Sequence, residues 1–278
     1  MNDNKRLFFI LKYLVLIVFA IAFLYPFIWM AGTSLKTHQE SMISLANFIP
    51  ESGLQWGNYL EVWNRLNFVR YFFNSVLYSL LVVVGSVVFY SMMGFALAKF
   101  EFWGRKAVYY MFIALMLVPG VTITIPLYIN MVKIGMNDTI LGVILPIING
   151  GGPFAVFLFT NYMRSLPHEM YESAILDGCN KFQIYYRIYF PLSLPVITTI
   201  AIINFLGSWK AILWPMIIIT SKELFTLPMG IMYLDSSAFK QWHLLMAGSM
   251  LSVIPVIIIF VFLQKYYIRG LTGGAVKQ

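Results

Sequence analysis

The sequence predicts an all-α polytopic membrane helix bundle with six transmembrane helices, and three observations predict it. Of its 278 residues, 60% are hydrophobic and only 11% are charged, a balance far more apolar than that of a soluble domain of this length. Six stretches reach the roughly 20 apolar residues that a helix needs to cross about 30 Å of hydrocarbon. The 19 Lys and Arg are spread unevenly between the loops on the two sides of those stretches, as the positive-inside rule requires.

The first span, residues 7–31, follows the bases Lys5 and Arg6 and could be mistaken for a secretory signal. The run is too long and lacks a small-x-small cleavage site, so a retained span is expected. An outer loop, residues 32–71, carries "FIPESGLQWGNY", with the Pro, Gly and aromatic residues of an ordered loop at the interface. The second span, residues 72–98, repeats small residues, with Ser75, Ser79, Gly85, Ser86, Ser91 and Gly94, so neighbouring helices can approach closely. After the short cytoplasmic loop "KFEFWGRK" come the third span, residues 107–128, and the fourth, residues 140–162. Both hold helix breakers: Pro119, Gly120 and Pro126 in one, and Pro146, Gly150 to Gly152 and Pro153 in the other. Backbone freed by such breaks needs protein or water partners; tight packing and a lined pathway both satisfy it. The fifth span, residues 192–220, contains Lys210, and the sixth covers residues 244–267.

Twelve of the bases lie in the inner loops and termini, against the acids Asp3, Glu101, Glu169, Glu172 and Asp177, giving the cytoplasmic side +7 of the net +8. Both termini are therefore expected in the cytoplasm, and topology accounts for the charge without nucleic acid. The single cysteine, Cys179, excludes a disulfide within the chain. His38, His168 and His243 are scattered, at no usual metal-ligand spacing. No nucleophile–base pair or paired-carboxylate device is evident, and Gly150 to Gly152 lack the Lys-Ser/Thr of a nucleotide loop, so no enzymatic role is expected. No internal repeat supports a transporter of inverted halves.

Between the fourth and fifth spans lies a polar island, residues 163–191, containing "YESAILDGCNKFQIYYRIYFP". Ser165 as a capping hydroxyl, Pro167, and the acids Glu169 and Glu172 predict a helix start. Met170, Ala174 and Gly178 recur every four residues, with Gly178 fitting the helix end and Asn180 able to cap a second helix. A helix of about ten residues is marginal alone in water, so it needs a partner surface. Lipid headgroups would favour bases on its polar face; the acids here favour a groove in another protein.

The same segment resembles the signature loop of the membrane subunits of ATP-binding-cassette importers: Glu-Ala-Ala, three residues, Gly, nine residues, then Ile-x-Leu-Pro. This chain has Glu172, Ser173, Ala174, Gly178, Ile188, Phe190 and Pro191, with Asp177 before the glycine as in carbohydrate-type members; Ser173 and Phe190 are mild departures. "GFALAKFEFWGRK", "MLVPG", "WKAILWP" and "LFTLPMGI" extend the likeness to the maltose-type permease over nearly the whole chain. The resemblance implies one transmembrane permease domain, residues 1–278, of the type I importer fold, in the cytoplasmic membrane of a prokaryote. It further implies a second homologous permease, two cytoplasmic ATPase subunits that hold the ATP and Mg, an extracellular solute-binding protein, and no cofactor on this chain. The helix at about residues 167–180 would be the coupling helix, with Glu169, Glu172, Ser173, Ala174, Asp177, Gly178, Ile188 and Pro191 as coupling residues.

For the substrate pathway, Asn204, Ser208, Trp209 and Lys210 in the fifth span are the candidates. An ionisable residue within a span faces a bundle interior or water, and rings suit the apolar faces of sugars. Lys210 snorkelling to the interface, with Trp214 in the aromatic belt, is the alternative. Lys210 also stands where resembling subunits carry Asn, which suits an anionic sugar. Polyols, glycerol phosphate, acidic oligosaccharides and a secondary transporter are thus the competing readings.

Overall fold

A computed structural model describes residues 3–43, 47–234 and 241–273. Among these, fourteen α-helices follow one another: α1 Asp3–Ser34, α2 His38–Ile43, α3 Gly57–Arg65, α4 Phe68–Lys99, α5 Arg105–Leu115, α6 Thr124–Lys133, α7 Ile140–Ser165, α8 Glu169–Leu176, α9 Lys181–Ile184, α10 Phe190–Leu192, α11 Leu194–Trp209, α12 Leu213–Ile218, α13 Leu227–Leu234 and α14 Trp242–Gly273. No strand occurs among the described residues, and the all-α expectation holds. The chain divides into two compact units, one of residues 1–68 and 230–255, the other of residues 69–229 and 256–278.

In the first unit, α1 carries an apolar 27-residue stretch, Phe8–Ser34, whose most apolar window has no residue buried. The core is built instead from the segment after it and the start of α14: Val62, Leu244 and Ala247 are fully enclosed. Asn58 Nδ2 donates to the carbonyls of Ser34 and Lys36, both at 2.8 Å, and the Ser34 and Tyr59 hydroxyls meet at 2.7 Å. The buried Lys36 ammonium donates to the Asn47 carbonyl. These bonds satisfy a loop that could not otherwise be buried.

In the second unit, α4 has 32 residues, about 48 Å at 1.5 Å per residue, and is long enough to cross unbroken. Its small residues do what their spacing predicts. A Cβ on Gly94 would collide with Phe159 and Thr160, and one on Gly152 of α7 would strike the Tyr90 ring. Ser75, Ser79, Ser86 and Ser91 are all buried, and Ser75 Oγ accepts the Leu227 N–H at 2.8 Å. Asn74 Nδ2 holds the carbonyls of Glu223 and Phe225 at 2.8 and 2.9 Å, which fastens the "LFTLP" turn to the N-terminal half of α4.

Three expected spans are not straight. The third breaks by 99° between Arg105–Leu115 and Gly120–Lys133, because Pro119 is extended at ψ 124° and its ring disfavours helix at Val118. The fourth bends by 50° between Ile140–Gly150 and Gly152–Ser165. The fifth turns by 75° at Ser193, whose hydroxyl donates to the Tyr189 carbonyl at 2.7 Å, and α11 then stops at Trp209. α12 is a separate six-residue helix, so residues 192–220 do not form one continuous helix. The sixth runs unbroken through α14 despite Pro255.

Candidate functional site

The polar island folds as a helix, a tight turn and a second helix. α7 runs through Ser165, and Leu166 is extended at ψ 139°, as a residue before proline prefers. Ser165 is therefore a C-terminal residue of α7 whose hydroxyl donates to the Tyr162 carbonyl at 2.8 Å, not the cap of the next helix. α8 starts instead from His168, with no side-chain cap. Its first turn carries the carboxylates Glu169 and Glu172, which suit the positive end of the helix dipole. Glu172 lies 3.7 Å from His168 Nε2 in a pair that is well exposed on both sides.

α8 closes at Gly178, where φ is +78°. The Gly178 N–H donates to the Ile175 carbonyl at 2.9 Å and the Cys179 N–H to the Ala174 carbonyl at 3.0 Å, the paired bonds of a Schellman ending. Asn180 then starts α9 with a reciprocal capping box: its Oδ1 accepts the Gln183 N–H at 2.9 Å, and Gln183 Oε1 accepts its N–H at 2.8 Å. The chain widens into a π-helical turn over Tyr185–Tyr189. Ile188 within it is half-buried, and Pro191, in the first turn of α10, is exposed.

Burial sorts the α8 side chains into two faces. Tyr171 and Ala174 are buried within the chain. Glu169, Glu172, Ser173, Ile175, Leu176 and Asp177 are exposed, and Leu176 reaches 88% exposure. Ala174, expected on the surface that meets a partner, is instead the residue that seats α8 on its own chain. The outward face offers carboxylates for cations or amides and one projecting leucine for an apolar socket.

The pathway candidates separate at the end of α11. Asn204, Ser208 and Trp209 are buried. Ser208 Oγ donates to the Asn204 carbonyl at 2.7 Å, and the Trp209 ring stacks on Phe205 at 5.6 Å and meets Phe72 edge-on at 6.0 Å. Lys210 is exposed at the C-cap of α11, where a cation complements the negative helix end. It stands at a helix terminus and not within a continuous span. Trp214 Nε1 donates to the Gly142 carbonyl at 3.0 Å, tying α12 to α7.

Sequence reasoning missed Asp138. Its backbone is left-handed at φ +53°, a conformation Asp tolerates better than most residues. Its N–H donates to the Ile218 carbonyl at 2.8 Å. Its Oδ1 accepts the N–H groups of Thr220 and Ser221, each at 2.9 Å, and its Oδ2 accepts the Ser221 hydroxyl. The Ser221 hydroxyl first, and then the two N–H groups, pull its carboxyl down to about 2, against a weak opposing effect of burial. The only signal was the turn composition of "GMNDT" and "TSKE". The histidines His38 and His243, distant in sequence, bring their rings to 5.2 Å. Among the described residues no group of three or more His, Cys, Asp or Glu could hold a metal.

Residues 90–273 match the family described as binding-protein-dependent transport system inner membrane component. The chain is 37% identical over 266 residues to the arabinooligosaccharides transport system permease protein AraQ of Bacillus subtilis, covering 95% of this chain and 94% of that one. It is 33% identical to the inner membrane ABC transporter permease protein YcjP of Escherichia coli over the full length of both. It is 31% identical to the galactooligosaccharides transport system permease protein GanQ of Bacillus subtilis, over 100% of this chain and 98% of that one. A crystal structure of a bacterial ABC transporter involved in alginate import superposes with a TM-score of 0.78 at 24% identity, over 96% of this chain and 99% of its own, which is a likeness of fold. With a helix–turn–helix island set among long apolar helices, and with this match across two thirds of its length, the chain belongs to the inner membrane component family of binding-protein-dependent transport systems, as a permease of the ATP-binding-cassette importers.

Proposed function

We propose that this permease carries sugars or oligosaccharides into the cell, paired with a second homologous permease, two cytoplasmic ATPases and an extracellular solute-binding protein. The substrate class is supported by relatives at 31–37% identity whose names specify arabinooligosaccharides and galactooligosaccharides. Both termini and the island lie on the cytoplasmic side, in keeping with the inner excess of Lys and Arg. ATP and Mg belong to the ATPases, and this chain performs no hydrolysis.

The observation that carries the mechanism is the two-faced α8. Its inner face, Tyr171 and Ala174, is packed against the chain, and its outer face, with Glu172 and the 88% exposed Leu176, is free to enter a cleft. Closure of the ATPases on ATP moves that cleft, and the packed inner face obliges the spans to follow. The rigid Gly178 turn keeps α8 and α9 moving together. At the other end, Asn204, Ser208, Trp209 and Lys210 line or support the route for cargo. Lys210, exposed at a helix end, favours one second reading, an acidic oligosaccharide.

The test is uptake of labelled neutral and acidic oligosaccharides by proteoliposomes holding the complex purified through a tag on this chain. ATP-dependent uptake of a neutral oligosaccharide is expected, and Glu172→Lys with Leu176→Asp is expected to lower it at least about tenfold at equal membrane abundance. Preference for the acidic probe, lost in Lys210→Ala, selects the second reading. Uptake unaffected by the α8 substitutions contradicts the mechanism.

A further inference from the structure

Beneath the inner face of α8 lies a cluster of rings centred on Phe95, near the cytoplasmic end of α4. Phe95 is 3% exposed, and its ring centroid lies 5.1 Å from Tyr189, 5.6 Å from Tyr185, 6.4 Å from Tyr171 and 5.4 Å from Phe100. Four segments thus converge on one side chain: α4 itself, the loop after it, α8 and the π-helical turn. Polar contacts lock the same junction. Ser91 and Tyr185 share a hydrogen bond of 2.7 Å, Lys99 Nζ donates to the Leu166 carbonyl at 3.3 Å, and the same ammonium lies 4.9 Å above the Tyr189 ring.

We infer that Phe95 is a positioning residue that makes α4, an unbent helix of 32 residues, move as one body with α8. The proposal rests on the importer reading above and adds which span is driven and through which side chain. Sequence order alone would connect α8 only to its chain neighbours, α7 and α9. Packed interiors transmit displacement because they have little free volume, and the Phe95 rings supply such packing between α8 and a helix far away in sequence. π-Helical turns of this kind recur at functional sites.

The experiment compares Phe95→Leu, which keeps apolar volume but removes the ring, with Phe95→Tyr, which restores it, and with Leu97→Ala, a buried change on the same helix outside the ring cluster. Complexes are purified through a tag on this chain. ATP consumed per sugar transported is measured, and the distance between spin labels on the native Cys179 and on Leu77→Cys is followed with and without trapped nucleotide. In the wild type that distance holds between the two states. In Phe95→Leu it is expected to shift by about 2 Å or more, while ATP per sugar rises about tenfold; Phe95→Tyr returns both to wild type and Leu97→Ala leaves both unmoved. Should Phe95→Leu not assemble, Tyr171→Leu opens the same contact from the α8 side. An unaltered ratio and distance in these variants, or equal uncoupling by Leu97→Ala, overturns the role of Phe95. A wild-type complex without ATPase subunits overturns the importer reading itself, and the relay falls with it.

Discussion

Gly178 holds φ +78° with nothing within 4 Å of where a Cβ would stand, so glycine is required there by conformation and not by space. An ordinary L-residue in that region costs roughly 1–2 kcal/mol, and Asn is the best tolerated. Gly178→Val is therefore expected to cut ATP-dependent uptake severalfold or more by loosening the α8–α9 turn, whereas Gly178→Asn retains most of it. Uptake at matched membrane abundance decides, and equal loss in both variants would contradict the conformational account. Gly178 and Asn180 were legible in the sequence because a Schellman ending and a capping box are local, set by residues within four positions of one another. Ala174 was read onto the wrong face, since periodicity groups Met170, Ala174 and Gly178 without saying towards which neighbour their side points. Asp138 was invisible for a related reason: its partners Thr220 and Ser221 are more than eighty positions away.

That the apolar stretches are helical and suited to a membrane could be recognised from length and composition alone, because lipid solubility is a summed property. Their bends could not. A proline announces a break but not its angle, and the 99° and 75° turns depend on what each half packs against. The Asp138 clasp shows how such broken halves are secured, joining the turn after α6 to the segment after α12. Because its carboxyl is depressed from 3.8 to about 2, the stability it adds is fully present above about pH 4. That stability is lost as the pH falls towards 2. Asp138→Asn should lower the melting temperature of the purified complex by a constant margin from pH 7 to about 4, and the margin should shrink below that. A margin that shrinks already between pH 7 and 5 would assign it to other groups. Solvent screening at this partly exposed site keeps the effect modest.

For the whole molecule, the division of charge between loops predicts orientation more directly than any contact does. Cys179, the one native cysteine, is expected to stay unlabelled when intact cells meet a membrane-impermeant maleimide. A Ser52→Cys variant on a Cys179→Ser background should label under the same conditions. Labelling of Cys179 from outside would invert the topology. The sequence fell short at this scale where function depends on encounters between distant segments. The convergence of Tyr171, Tyr185 and Tyr189 on Phe95, and of His38 on His243, leaves no trace in local pattern.

The first helix has a bearing on how the protein is made. Its last turn is tied to the segment after it, but its most apolar window is not buried by any of the described residues. On the importer reading proposed above, bilayer and a partner permease cover that stretch, and a copy synthesised in surplus keeps a greasy flank open to the surveillance proteases of the membrane. On that reading, matched output of the subunits is written into the surface of one helix.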